Sequence, residues 1–289
     1  MDKIDLEKIK RDKPIKELLN FGIVNMDKPL GPTSFSVTDY VRKSLELNKC
    51  SHMGTLDPTV VSGVLPVLLG RACRLSNYFM HRNKTYVGIM RLHEDVEDKT
   101  LNNVIEKFIG KIMQLPPVRS RVKRQIRERE VISFKILERE GKDILFETEV
   151  QAGTYIRKIC DDMGKEIGGA HMLELRRTKA GLFDEDKIVN LYLFDKAVEE
   201  YKKGNDKPLR DMIVPAEIIS QLYPIVQLNP KSLKKILTGK PLFISDINNI
   251  KELDNVNDIF VLFNNQTFIG VYHKSQEGDI IARADFILN

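Results

Sequence analysis

Paired cysteines, bilayer-spanning runs and the common nucleotide-enzyme signatures are missing from this 289-residue chain. Its three cysteines, Cys50, Cys73 and Cys160, lie far apart and form no CxxC pair, so neither a disulfide framework nor a cysteine-rich zinc site is indicated. No run approaches the roughly 20 apolar residues that span a bilayer. The first 20 residues are charged throughout, without the apolar centre of a signal peptide. The chain is therefore expected to stay in the cytoplasm, away from membranes. There is no GxGxxG after a strand, no GxxxxGK(S/T), no HExxH and no GxSxG, which removes the usual signals of dinucleotide redox, nucleotide hydrolysis, zinc proteolysis and α/β-hydrolase chemistry. The five histidines are scattered, and Cys50 with His52 falls short of the three or four ligands that a zinc site needs, so no metal is expected.

What is present describes a folded protein. Apolar residues make up 42% and charged residues 30%, enough to bury a sizeable core, and the length suits two domains or one with an appendage. The balance of 46 basic against 41 acidic residues, +5, is too modest to mark a nucleic-acid binder by itself. Its distribution says more. From Arg119 to Arg129, Arg119, Arg121, Lys123, Arg124, Arg127 and Arg129 stand against the single acid Glu128, a density that suits a phosphate backbone as well as it suits a solvated basic strand.

The pattern along the chain predicts an α+β fold. Residues 1–20 read as a charged extension with a weak helical stripe broken at Pro14. Val37, Tyr40, Val41 and Leu45 share one side of a helix that begins near Thr33 and Ser34. Leu101, Val104, Ile105, Phe108 and Ile112 predict a second helix, and Ile156, Ile159, Met163 and Ile167 a third. Tyr86–Leu92, Val131–Leu137 and the alternating Ile144, Phe146, Thr148 and Val150 read as strands, the last two joined in a hairpin at Gly141. Hairpins mixed with helices point to a mainly antiparallel sheet rather than a doubly wound one. This central domain is expected over residues 21–222, followed at 223–289 by a small β-rich appendage whose short strands are separated by Asn264-Asn265 and Glu277-Gly278-Asp279 turns.

Three features could carry chemistry. Asp57, between Leu56 and a proline in a glycine-bounded loop, is presented on a stiff backbone; the ordinary alternative is an Asp-Pro turn. Arg157 ends Gly153-Thr154-Tyr155-Ile156-Arg157 near a sheet edge, where it would pair a carboxylate or simply meet water. Tyr86, two residues after Lys84, would stack a base or fill core.

Taken together, NMDKPLGPTS (25–34), SHMGTLDP with SGVLPV (51–67), KTYVGIM (84–90), GTYIRKI (153–159) and HMLELRRTKAGLF (171–183) resemble, in order and spacing, the TruB family of pseudouridine synthases. PPVRSRVKRQIRERE is similar to the archaeal and eukaryotic branch, which holds archaeal tRNA pseudouridine synthase B and the dyskerin-type catalytic subunits of box H/ACA ribonucleoproteins. The resemblance implies a pseudouridine synthase fold with a C-terminal PUA-like RNA-binding β-barrel. The implied reaction breaks the bond between uracil N1 and ribose C1′, turns the base and joins C5 to C1′, without metal or organic cofactor.

Carried over by motif, Asp57 is the catalytic carboxylate in a water-poor pocket, Arg157 its partner, and Tyr86 the ring that stacks on uracil and takes part in removing the C5 proton. Leu175 resembles the apolar lid, Lys28 a support for the catalytic loop, and His52 the group that fills the space of the flipped base. Arg119, Arg121, Lys123, Arg124, Arg127, Arg176 and Arg177, with Arg71, Arg74, Arg82 and Lys84, would track phosphates. The implied partners are tRNA or rRNA substrate, a guide RNA and small ribonucleoprotein proteins. The substrate is then a guide-selected rRNA uridine, uridine 55 of the tRNA T loop, or both. In a eukaryotic cell the guided enzyme would be nucleolar. A non-catalytic RNA-binding scaffold is the alternative.

Overall fold

The computed structural model describes residues 4–116 and 123–289. Helices α1 (Leu6–Asp12) and α2 (Ile15–Asn20) flank Pro14 and lead into β1 (Phe21–Lys28). Thr33 caps α3 (Ser34–Ser44): its hydroxyl accepts the Ser36 N–H at 2.9 Å, and the helix buries Val37 and Val41. After it come β2 (Cys50–His52), β3 (Val61–Gly70), α4 (Ser76–Met80) and β4 (Lys84–Leu92). Helix α5 (Asp98–Phe108) buries Leu101, Val104 and Ile105 but stops short of Ile112, correcting the expected extension. Gly110, at φ +93°, turns the chain into β5 (Gly110–Gln114), where Ile112 pairs with Arg129 of β6 (Arg127–Glu140).

Strand β7 (Asp143–Val150) closes a hairpin with β6, α6 (Ile156–Glu166) follows, and β8 (Ala170–Ala180) returns through the middle of the sheet. The short β9 (Phe183–Asp184), α7 (Leu191–Lys202), α8 (Lys207–Met212) and β10 (Ile213–Pro215) complete this unit. Its sheet runs β10-β1-β3-β8-β4-β7-β6-β5, with β2 beside β3 and β9 beside β8. Among the described residues, the β3–β8 ladder is the only parallel one in it; the other ladders are antiparallel. Strands β1 and β3 are buried almost throughout, which is why they read as continuous apolar runs and not as alternation.

The C-terminal unit is a second sheet of β11 (Ile225–Gln227), β12 (Leu242–Phe243), β13 (Ile259–Asn264), β14 (Thr267–Glu277) and β15 (Ile280–Ile287), with α9 (Leu233–Leu237) on it. This curled sheet fits a PUA-like domain. It meets the first unit through a continuous apolar seam in which Phe21 lies 5.1 Å from Phe268 between ring centroids, with Phe286 against both. Ile4 and Ile9 of the N-terminal segment are buried in the same seam, and Arg210 binds the carbonyls of Lys10 and Lys13 at 2.8 and 2.6 Å. No helix among the described residues is long and apolar enough to cross a membrane.

Candidate active site

Asp57 lies on a loop that the surrounding elements tie down at several points. The buried Ser34 hydroxyl accepts the Leu56 N–H at 2.8 Å, and the Pro58 carbonyl accepts the Gly31 N–H at 2.8 Å. Lys28, fully buried at the end of β1, donates from Nζ to the carbonyls of Pro29 and Val61 at 2.9 and 3.0 Å. Burial pushes the Lys28 pKa down, an effect the nearby Asp57 charge opposes. Lys28 is thus placed as a brace behind the loop.

The carboxylate itself faces forward. Arg157, in the first turn of α6, brings Nη1 to 3.4 Å from Asp57 Oδ2, and Thr59 donates to Oδ1 from its N–H at 3.0 Å and its hydroxyl at 2.7 Å. Burial works to raise the Asp57 pKa; the Thr59 hydrogen bonds and the charges of Arg157 and Lys28 outweigh it, so the carboxyl stays below its ordinary value. The expectation of a water-poor pocket is corrected here. The side chains of Arg157 and Asp57 are 47% and 39% exposed, because α6 presents its first turn at the surface, and such a wet pair contributes only about 0–1 kcal/mol to stability. A groove of about 250 Å³ lined by Arg82, Glu149, Lys179 and Leu222 lies elsewhere; none of its walls comes from the Asp57 loop.

Register aligns the other residues across three neighbouring strands. Val61 of β3 sits beside Leu175 of β8, which in turn sits beside Gly88 of β4, and Tyr86 lies opposite Arg177. A Cβ on Gly88 would come within 2.7 Å of Leu175 Cδ1, so the missing side chain leaves room for Leu175 to pack against β4. Gly63 has φ +99°, and a Cβ there would meet the Arg177 carbonyl at 2.3 Å, which holds β3 and β8 close behind the loop. A register shift between Thr85 and Tyr86 re-aims the half-buried Tyr86. His52, on β2, is half-buried, with Nδ1 3.1 Å from the Thr38 hydroxyl of α3.

Asp57 and Arg157 are brought together on a loop tied to β1 and α3, while Tyr86 stands beside Arg177. The comparisons decide the family. The model of the TruB family pseudouridylate synthase N-terminal domain matches residues 42–156, and that of the tRNA pseudouridylate synthase B C-terminal domain matches residues 157–220. A probable tRNA pseudouridine synthase B of Methanopyrus kandleri is 39% identical over 254 residues, 87% of this chain and 75% of the relative. That of Archaeoglobus fulgidus is 39% identical over 89% of this chain and 81% of its own length. The chain belongs to the TruB family.

TruB-family likeness extends to the whole fold. A crystal structure of a Cbf5–Nop10–Gar1 complex superposes with a TM-score of 0.85 at 34% identity, covering 96% of this chain and 88% of that one. An H/ACA ribonucleoprotein bound to a substrate RNA containing 2′-deoxyuridine gives 0.84 at 31%, covering 97% and 89%.

Within this TruB-family site the basic residues divide by burial. Arg177 does not face RNA, correcting the expectation for it. It is 1% exposed, and its Nε and Nη2 donate to the carbonyls of Val64 and Gly54 at 2.8 and 3.3 Å. Burial lowers its pKa, opposed by the Tyr86 phenol beside it, so it joins the Tyr86 strand to the Asp57 loop from within. Lys84 is likewise buried, its Nζ given to the carbonyls of Met80 and Arg82.

Arg176 is partly exposed, but its guanidinium grips both oxygens of Asp27 at 3.0 and 3.2 Å and also pairs with Glu185, so it is engaged internally. Arg71 binds the carbonyl of Ile287 at 2.9 Å, and Arg74 and Arg82 lie over Phe286 and Tyr223; all three fasten the seam. Lys123 and Arg124 are exposed, Arg127 is half-buried at the start of β6, and Arg119 and Arg121 lie outside the described residues. Ser34 and Thr59 have roles that pattern reading did not find. A hydroxyl two residues from an aspartate is legible as a turn, not as a hold on a reacting group.

Proposed function

We propose that the chain acts on uridine in structured RNA through Asp57, with Arg157 keeping the carboxylate ionised and aimed and Tyr86 stacking on the base. The observation that carries this reading is the Asp57–Arg157 contact on a braced loop in a TruB-family chain. The target must leave its stack at a cost of a few kcal/mol, and His52 fills the space the flipped base leaves. RNA laid over the open side of the pair excludes water and strengthens the Asp57–Arg157 attraction, which the free protein leaves screened. Asp57 attacks C1′ or acts on the base to release the N1–C1′ bond; after rotation C5 bonds to C1′, C5 gives up its proton with Tyr86 at hand, and N1 gains one.

Lys123, Arg124 and Arg127, continuing into Arg119 and Arg121, supply the field for phosphates. The PUA-like sheet over residues 223–289 holds further RNA. The likeness to Cbf5 complexes supports a guide-directed subunit acting on rRNA with small protein partners. The likeness to tRNA pseudouridine synthases B supports uridine 55 of tRNA as a second substrate. Such an enzyme works in the cytoplasm, or in the nucleolus of a eukaryote.

The test is single-turnover conversion of an unmodified tRNA transcript and of a guide-matched rRNA fragment, each with and without guide RNA and partner proteins. In the productive condition Asp57→Asn is expected to lose more than about a thousandfold in rate while keeping RNA affinity. Undiminished conversion would return the chain to the scaffold reading.

A further inference from the structure

The two oxygens of Asp57 have different partners. Oδ2 faces the exposed Arg157 guanidinium at 3.4 Å, beyond a good hydrogen bond, whereas Oδ1 accepts twice from Thr59, at 3.0 Å from the N–H and 2.7 Å from the hydroxyl. The main chain explains why. The Asp57 carbonyl accepts the Val61 N–H at 3.1 Å, so residues 57–61 form one helical turn, and Asp57 stands where a capping side chain would. A carboxylate turns about its last torsion in a broad well, and a long contact to a flexible arginine does little to narrow it.

We infer that Thr59 is a positioning residue for the reaction: by occupying Oδ1 with two donors it fixes the side chain and leaves Oδ2, the oxygen beside Arg157, to meet the uridine. This inference rests on the reading of Asp57 as the reacting group. Any residue but proline supplies the N–H at position 59. The hydroxyl is what Thr59 adds, and its β-branch limits the rotamers from which that hydroxyl is offered.

The groups facing the carboxylate are Thr59 from its own turn, Arg157 from α6 and Lys28 from β1, with Arg177 of β8 acting on Lys28. Removing the hydroxyl takes away a bond made to the charged form while both cations remain, so the carboxyl must titrate at higher pH and the acid limb of the rate profile must move up with it.

The experiment compares native chain, Thr59→Val, Thr59→Ser and Asp57→Asn. Thr59 is exposed, so these changes leave the core untouched. In a ¹³C NMR titration of the full chain, Thr59→Val is expected to raise the Asp57 midpoint by about one pH unit, and Thr59→Ser to restore it. Single-turnover conversion of an unmodified tRNA transcript, with guide RNA and partners if the chain requires them, is expected to slow about tenfold in Thr59→Val at unchanged RNA affinity. A Thr59→Val chain with native midpoint and native rate overturns the inference. Conversion that survives Asp57→Asn overturns the reading beneath it instead, so the two failures are told apart.

Discussion

Some of the basic residues named for this site are dry and bound to carbonyls; others are wet and loosely held. Lys28, Lys84 and Arg177 are all buried, each donates to backbone oxygens, and burial lowers the pKa of each. Arg157, Lys123 and Arg124 are exposed. The same residue types therefore do two jobs in one domain. Inside, partial charges on carbonyls satisfy a cation that would otherwise be costly to bury, and the result is a rigid wall. Outside, charge stays in water, adds little to stability and remains available to phosphate.

The sharpest way to break this contrast is at Arg177. Arg177→Met leaves the Val64 and Gly54 carbonyls unpaired and is expected to lower unfolding free energy by about 2–4 kcal/mol in a urea titration, the largest stability loss of the set. Next is Lys84, whose pKa burial pushes down to about 8 from an ordinary 10.5. Between those values the unfolded chain binds a proton that the folded chain does not, so stability must rise with pH across that window, by up to about 3 kcal/mol. Below it both states are protonated and the burial penalty is fully present. Urea curves at steps across the window should show the rise in the native chain and a clearly shallower one in Lys84→Met, where Lys28 still contributes.

On the wet side the expectation reverses. Arg157→Met should change unfolding free energy by less than about 0.5 kcal/mol while slowing single-turnover conversion about thirtyfold. Smallest is the double change Lys123→Ala with Arg124→Ala: RNA affinity by filter binding should fall about threefold at moderate salt, and the slope of log affinity against log salt should flatten by about one to two. An Arg157→Met chain that melts early, or a salt slope that does not move, would erase the division between the two sides.

Legibility in the sequence follows the same division. Helix stripes stood out because α3, α5 and α6 each bury one face, and the β6–β7 hairpin because Ile144 to Val150 alternate. Strands β1 and β3 gave no strand signal, since they are buried on both faces and show no period. Asp57, Tyr86 and Arg157 were singled out by the resemblance of their motifs, and of these the structure brings Asp57 and Arg157 into contact. The fates of Arg176, Arg177 and Lys84 could not be read, because burial of a basic residue depends on pairings between strands far apart in the chain, and an arginine bound to a carbonyl is spelled like one bound to phosphate. Ile112 followed the helical period by chance, and a glycine in the left-handed region overruled it.

The parallel ladder between β3 and β8 has a kinetic consequence. It joins Val61 to Leu175, 114 positions apart (175 less 61), and it forms the floor on which the Asp57 loop rests. Contacts so distant along the chain close late and slowly, since the entropy of a long loop is lost before the ladder rewards it. A refolding or newly made chain should therefore acquire its helices and hairpin well before it acquires its chemistry, and catalytic competence becomes a reporter of the final folding step.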